Sequence, residues 1–155
     1  MVIRKAQEKD FVKLAKIYST FFPTHNIFQK SKKEIATYLR KQSKIDDLLV
    51  LDDKGVLKGA LYLVNFGQNA DGSHKLWKIR HFAFQNKGAF SALVDEAEKR
   101  IRKVSATAKI ELTIAKNEKG QKLFQAKGYK KEAALVNHYR WGETCSIFGK
   151  SFSNR

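Results

Sequence analysis

Two ionisable side chains stand on neighbouring strand-like segments: His81 in LWKIRHFAF and Glu111 in KIELTIA. An imidazole with an unperturbed pKa of about 6.5, or a carboxylate, is the kind of group that takes a proton from a nucleophile near neutral pH. Both are therefore candidates for a general base. Each also has a plain structural reading, His81 as an ordinary strand histidine and Glu111 as a solvent- or lysine-facing residue alternating with Ile110 and Leu112. Between the two segments, Gln85, Asn86, Lys87 and Gly88 lead into a helical pattern. A glycine-containing loop that opens a helix offers free backbone N–H groups to a phosphate.

These residues need elements to hold them. At 155 residues the chain reads as one domain, 1–155, large enough to bury a core without disulfides or metals. Cys145 is its only cysteine, so no disulfide framework or cysteine-based zinc site can form within the chain. MVIRKAQEKD lacks the apolar core of a leader, and no apolar run approaches membrane-spanning length. The expectation is a cytoplasmic protein with no membrane partner. A formal net charge of +16 attracts polyanions, whether phosphorylated cofactors or nucleic acid. Lysines are scattered throughout, with concentrations at residues 99–103 and 116–131.

Periodicity sets the order of elements. VIRK reads as a first strand, and Phe11, Leu14, Ala15, Tyr18, Phe21 and Phe22 share a helical face. Ser31 and Glu34 have capping-box spacing and open a second helix with Ile35, Tyr38 and Leu39 inward. Two strand-like runs flank Asp52-Asp53-Lys54-Gly55, a hairpin signal, and a third follows Asn69-Ala70-Asp71-Gly72. Phe90, Leu93, Val94, Ala97, Ile101 and Val104 mark a third helix; Ile110, Leu112 and Ile114 alternate as a fifth strand. NEKGQKLFQAKGY is a short fourth helix with Asn117 as its cap, Leu123 and Phe124 as its stripe, and Gly128 to end it. A last hairpin turns around Gly142 and Glu143. The predicted fold is α/β in the α+β sense: a mixed, mostly antiparallel sheet of about seven strands with about four helices, the fourth and fifth strands parallel.

This order, with VIRKAQEKDFVKLAKIY, HFAF followed by residues 85–88, NEKGQKLFQAKGYKKE and NHYRWGETCSIFGKSF, resembles the GNAT superfamily of acetyl-CoA-dependent N-acetyltransferases along nearly the whole chain. The resemblance implies a splay between the fourth and fifth strands and acetyl-CoA as cofactor. It places the cofactor against Phe82, Ala83, Phe84, Gln85, Asn86, Lys87, Gly88, Ala89, Phe90, Asn117 and Phe124. Pyrophosphate would meet the N–H groups of residues 85–90, with Lys87 adding charge. A backbone N–H near residues 82–84 would hold the oxyanion. The partners it implies are acetyl-CoA and an amine acceptor, in a monomer or homodimer.

The sequence departs from the family pattern at three places. Phe90 stands where a small residue usually follows the loop, and its place on the apolar stripe predicts that it turns into the core. Phe84 runs directly into Gln85, so the loop is short. Phe124 occupies the position of the tyrosine that protonates the departing thiolate, leaving Tyr129 or Tyr139 as substitute acids. The alternatives to transfer are a catalytically impaired acyl-CoA-binding protein and an RNA- or ribosome-associated protein of the same fold.

Overall fold

The structure, a computed structural model, describes residues 1–115 and 119–154. It contains β1 (Val2–Lys5), α1 (Phe11–Phe21), α2 (Lys32–Gln42), β2 (Asp47–Asp53), β3 (Val56–Gln68), β4 (His74–Phe84), α3 (Lys87–Val104), β5 (Thr107–Ala115), α4 (Gln121–Ala126), β6 (Lys130–Val136) and β7 (Thr144–Ser153). The seven strands form one sheet in the order β1-β2-β3-β4-β5-β7-β6. β4 and β5 run parallel, as a strand–helix–strand crossover requires, whereas β1/β2, β2/β3, β5/β7 and β6/β7 are antiparallel. Among the described residues, β4/β5 pairing spans five rungs, from His74/Thr107 to Lys78/Glu111. β5 goes on pairing with β7 as far as Ala115, and β4 itself runs on to Phe84. No helix among the described residues is long and apolar enough to cross a membrane.

The chain divides into two compact units, one of Met1–Val64 with His81–Glu98, the other of Asn65–Arg80 with Lys99–Arg155. In the first, the predicted stripe of α1 buries Phe11, Leu14, Ala15 and Tyr18, while α2 buries Ile35, Ala36 and Leu39. Ser31 caps α2 as its spacing predicts, its hydroxyl accepting the Glu34 N–H at 3.2 Å. The β2–β3 hairpin turns through Lys54 (φ 53°) and Gly55 (φ 89°), the two left-handed residues that a tight two-residue turn demands. Asp52 Oδ1 accepts the Gly55 N–H at 2.7 Å and fixes the corner.

One glycine of this unit is required by crowding rather than by a turn. A Cβ on Gly59 would lie 2.8 Å from both the Ala83 carbonyl oxygen and Leu93 Cδ1. Its absence lets β3, β4 and α3 meet backbone to side chain. Gly59→Ala is therefore expected to destabilise the fold by about 1–3 kcal/mol through overpacking, read as a lower denaturation midpoint at unchanged slope.

In the second unit β5 alternates as predicted, with Ala108, Ile110, Leu112 and Ile114 buried. On its other face Lys78, Glu111, Lys109 and Glu132 form a ladder of alternating charge. Glu132 falls at the register shift between Lys131 and Ala133 and reaches across Gly149 to Lys109. Any side chain at Gly149 would collide with the Glu132 carboxylate. α4 begins at Gln121 with Gly120 (φ 113°) in the cap position, one turn later than the sequence pattern suggests; the expected cap, Asn117, lies outside the described residues. Gly128 (φ 90°) follows the helix end in the left-handed conformation, and Lys150 Nζ donates to the Lys127 carbonyl at 2.8 Å.

Candidate active site

His81 has a left-handed backbone, φ 49°, within β4, a conformation few non-glycine residues adopt. Such strain persists only where the surroundings enforce it. Here the Tyr18 hydroxyl of α1 donates to the His81 carbonyl oxygen at 2.6 Å. The ring is held separately, its Nε2 lying 2.8 Å from the Tyr38 hydroxyl of α2. Phe28 packs edgewise against it at a centroid distance of 5.1 Å, and Tyr62 at 5.8 Å. Two helices thus fix one histidine, by its backbone and by its ring.

Burial pushes the Tyr18 hydroxyl well above its ordinary pKa, and neighbouring Tyr62 and Tyr38 add to the shift. Tyr62 is raised for the same first reason, with Tyr38 and Asp46 contributing. Both hydroxyls therefore remain proton donors at working pH. Tyr18 spends its proton on His81 and Tyr62 spends its own on the Leu39 carbonyl, at 2.8 Å.

Four residues after His81 the strand gives way to the loop. Gln85 donates its N–H to the Lys58 carbonyl at 2.9 Å, which ties the loop to β3. Asn86 caps α3: its Oδ1 accepts the Ala89 N–H at 2.9 Å and its carbonyl accepts the Phe90 N–H at 3.0 Å. Of the six N–H groups expected to face a pyrophosphate, those of Gln85, Ala89 and Phe90 thus have protein acceptors. The N–H groups of Lys87 and Gly88 head the helix, where no intrahelical acceptor exists, and both residues are exposed. A Cβ at Gly88 would meet only Asn86 Oδ1, at 3.3 Å. Phe90 turns inward as its stripe position predicts: it is 2% exposed and stacks on Phe82 at 5.2 Å. Its ring does not cover the loop. Phe82 and Ala83 are buried, Phe84 half-buried.

The second unit holds the other named residues. Glu111 sits between two ammonium groups, Lys78 Nζ at 3.7 Å and Lys109 Nζ at 3.9 Å. Phe124 is buried edge-on against Tyr129, with ring centroids 5.1 Å apart. Tyr129 is buried too, whereas Tyr139 is 65% exposed in the β6–β7 connection. Cys145 is a buried thiol, its Sγ 4.0 Å from Glu143 Oε1. Among the described residues no group of His, Cys, Asp and Glu could hold a metal ion.

No protein-family model matches the chain, and no curated protein matches it in sequence. Solved structures do match. The aminoglycoside 6'-N-acetyltransferase from Enterococcus faecium superposes with a TM-score of 0.76 at 14% identity, over 100% of this chain and 99% of that one. An acetyltransferase of the GNAT family from Streptococcus pneumoniae gives 0.68 at 19% identity, covering 98% and 99%. The yncA protein from Salmonella typhimurium, solved with its cofactor acetyl-CoA, gives 0.64 at 14% identity, covering 99% and 95%. The fold is that of the GNAT acetyltransferases.

Within this GNAT fold, sequence reasoning singled out the loop at residues 85–88 and the histidine but missed what holds them. Tyr38 was read as part of the inner face of α2, and nothing in its spacing marks a hydroxyl aimed at His81. Tyr18 was equally hidden in the stripe of α1. Asn86 carried a usable signal, since Asn directly ahead of a helix and three residues before Ala89 has N-cap spacing.

Proposed function

We propose that this chain is a cytoplasmic N-acetyltransferase, acting as one domain over residues 1–155, that moves an acetyl group from acetyl-CoA to a primary amine, with His81 as general base. The observation that carries this reading is the run from His81 to Gly88 in one unit. A histidine fixed by two tyrosines stands six residues ahead of a helix start at which the Lys87 and Gly88 N–H groups have no intrahelical acceptor and Lys87 adds one full positive charge. The GNAT fold and the acetyl-CoA bound by the Salmonella neighbour support the same reading.

Acetyl-CoA, when bound, supplies the activated acyl group. Lys87 and Gly88 would hold its pyrophosphate by backbone N–H groups, with the Lys87 ammonium adding attraction. Residues 82–84 follow the last rung that β4 makes with β5 and would line the place of the pantetheine arm. A backbone N–H among them takes the charge that develops on the thioester oxygen. His81 accepts the proton that the amine must lose before it attacks. Glu111, held between Lys78 and Lys109, serves the sheet face and takes no proton in this scheme. Phe124, in the acid's place, would have no proton to give a leaving thiolate, a loss that a thiol of pKa about 8.5 would tolerate.

Calorimetric titration with acetyl-CoA beside CoA, followed by thioester consumption across a panel of amines, tests this directly. Saturable binding with amine-dependent consumption is expected. Binding without turnover of any amine would favour a catalytically impaired acyl-CoA-binding protein, and no binding would remove both readings. Restoring the missing acid is expected to fail: Phe124→Tyr places a hydroxyl where the native ring is 3% exposed and packed on Tyr129. The expected result is a loss of about 1–3 kcal/mol in stability from the buried hydroxyl, with no gain in kcat.

A second reading has its own observation. The second unit carries 17 Lys and Arg against five Asp and Glu, so +12 of the chain's +16 falls on it. The aromatics near that run, Phe124 and Tyr129, are closed to base stacking by burial, whereas Tyr139 and Trp141 are 65% and 91% exposed. A nucleic-acid partner would declare itself by affinity for RNA that falls linearly in a log–log plot against salt. Binding indifferent to salt would exclude it.

A further inference from the structure

We infer that Tyr38 is the relay through which His81 receives its proton: the Tyr38 hydroxyl takes a proton from the acceptor amine as it hands its own to His81 Nε2. This rests on the acetyltransferase reading above. The geometry begins with the 2.8 Å contact between the Tyr38 oxygen and Nε2. A neutral imidazole has one basic nitrogen, and a phenolic O–H donating to Nε2 fixes the ring proton on Nδ1. The only lone pair able to accept the amine's proton then points at the tyrosine oxygen.

The ring cannot readily turn to offer that nitrogen elsewhere. Its backbone is pinned by Tyr18 at φ 49°, and Phe28, Tyr18 and Tyr62 pack edgewise around it. Three tyrosines face His81, from α1, α2 and β3. Tyr18 and Tyr62 are fully buried and their hydroxyls are committed to backbone carbonyls. Tyr38 is half-buried, and its hydroxyl reaches the ring. It is the one member of the trio whose hydroxyl contacts the imidazole and whose side chain is not fully buried.

The step balances without a further reagent. An N–H bond of the ammonium breaks, its electron pair stays on nitrogen as the nucleophile, and the proton bonds to the Tyr38 oxygen. The original tyrosine O–H bond breaks, and that proton bonds to Nε2. The products are a free amine, an intact phenol and an imidazolium.

The test has two arms. Ring-nitrogen NMR of the wild-type protein should show neutral His81 protonated on Nδ1, with Nε2 accepting, and Tyr38→Phe should abolish the hydrogen-bond shift at Nε2. A ring protonated on Nε2 would overturn the relay, because Nδ1 would then be the base. In the second arm, Tyr38→Phe and His81→Gln should each lower kcat by about 100-fold at unchanged acetyl-CoA affinity, and the double variant should fall no further. A Tyr38→Phe variant within twofold of wild type, or a double variant equal to the product of the singles, would overturn it. Wild-type protein that acetylates no amine would overturn the acetyltransferase reading itself, and the ring-nitrogen arm separates that failure from a wrong hydrogen-bond direction.

Discussion

Lys87→Glu will weaken acetyl-CoA binding by roughly 30-fold while leaving the protein at least as stable as before, the two effects having opposite signs for one reason. Lys87 is the first residue of α3, where the backbone N–H groups lack helical acceptors and the dipole is positive. A glutamate there suits the helix and is expected to add about 0.5 kcal/mol of stability. The same carboxylate replaces an attractive charge by a repulsive one at the proposed pyrophosphate position. Loss of a charge-assisted contact costs about 2 kcal/mol, which is the 30-fold change. Calorimetry and thermal unfolding on the same sample separate the terms. Equal affinity for wild type and variant would mean that the phosphates bind elsewhere.

Asp10→Ala should have the largest effect on stability. Asp10 is 1% exposed, accepts two hydrogen bonds from Arg4 at 2.7 and 3.0 Å, and takes the Gln7 N–H at 2.6 Å. Burial alone would raise its pKa, but the Arg4 and Gln7 hydrogen bonds outweigh burial and hold the carboxyl below its ordinary range. Removal is expected to cost about 3 kcal/mol, the low end for breaking a buried ion pair, because Arg4 keeps Asp52 at 3.0 Å. The pH dependence has a definite sign. A carboxyl with a depressed folded-state pKa contributes its full stability above the unfolded value of about 3.9 and loses it as pH falls through the folded value. The gap in unfolding free energy between wild type and Asp10→Ala should therefore be constant near neutrality and narrow only below about pH 4. A gap that widened in acid would refute the assignment.

How far such features could be foreseen depends on whether they are local. Ser31 with Glu34, Lys54 with Gly55, and Gly128 each act within a few residues, and each does in the structure what its spacing predicts. Phe90 was also legible, because a helical stripe states which way a side chain faces. The stripe fades at its end, however: Val104 closes the apolar pattern of α3 yet is 53% exposed, as a terminal residue can be. The hold on His81 was illegible. Its partner Tyr38 lies 43 residues away, and an aromatic on a helix face reads as core whether or not its hydroxyl finds a ring nitrogen. A left-handed histidine leaves no mark in a sequence at all, unlike a left-handed glycine. The loop can be singled out by residue type, but the loss of the Gln85, Ala89 and Phe90 amides to acceptors on Lys58 and Asn86 could not be read there.

Backbone amide NMR during titration with acetyl-CoA tests the central claim most directly. The account predicts saturable shifts at Lys87 and Gly88, following the same binding curve as His81. Saturable acetyl-CoA binding that leaves those two amides unmoved, or no binding at millimolar cofactor, would contradict it.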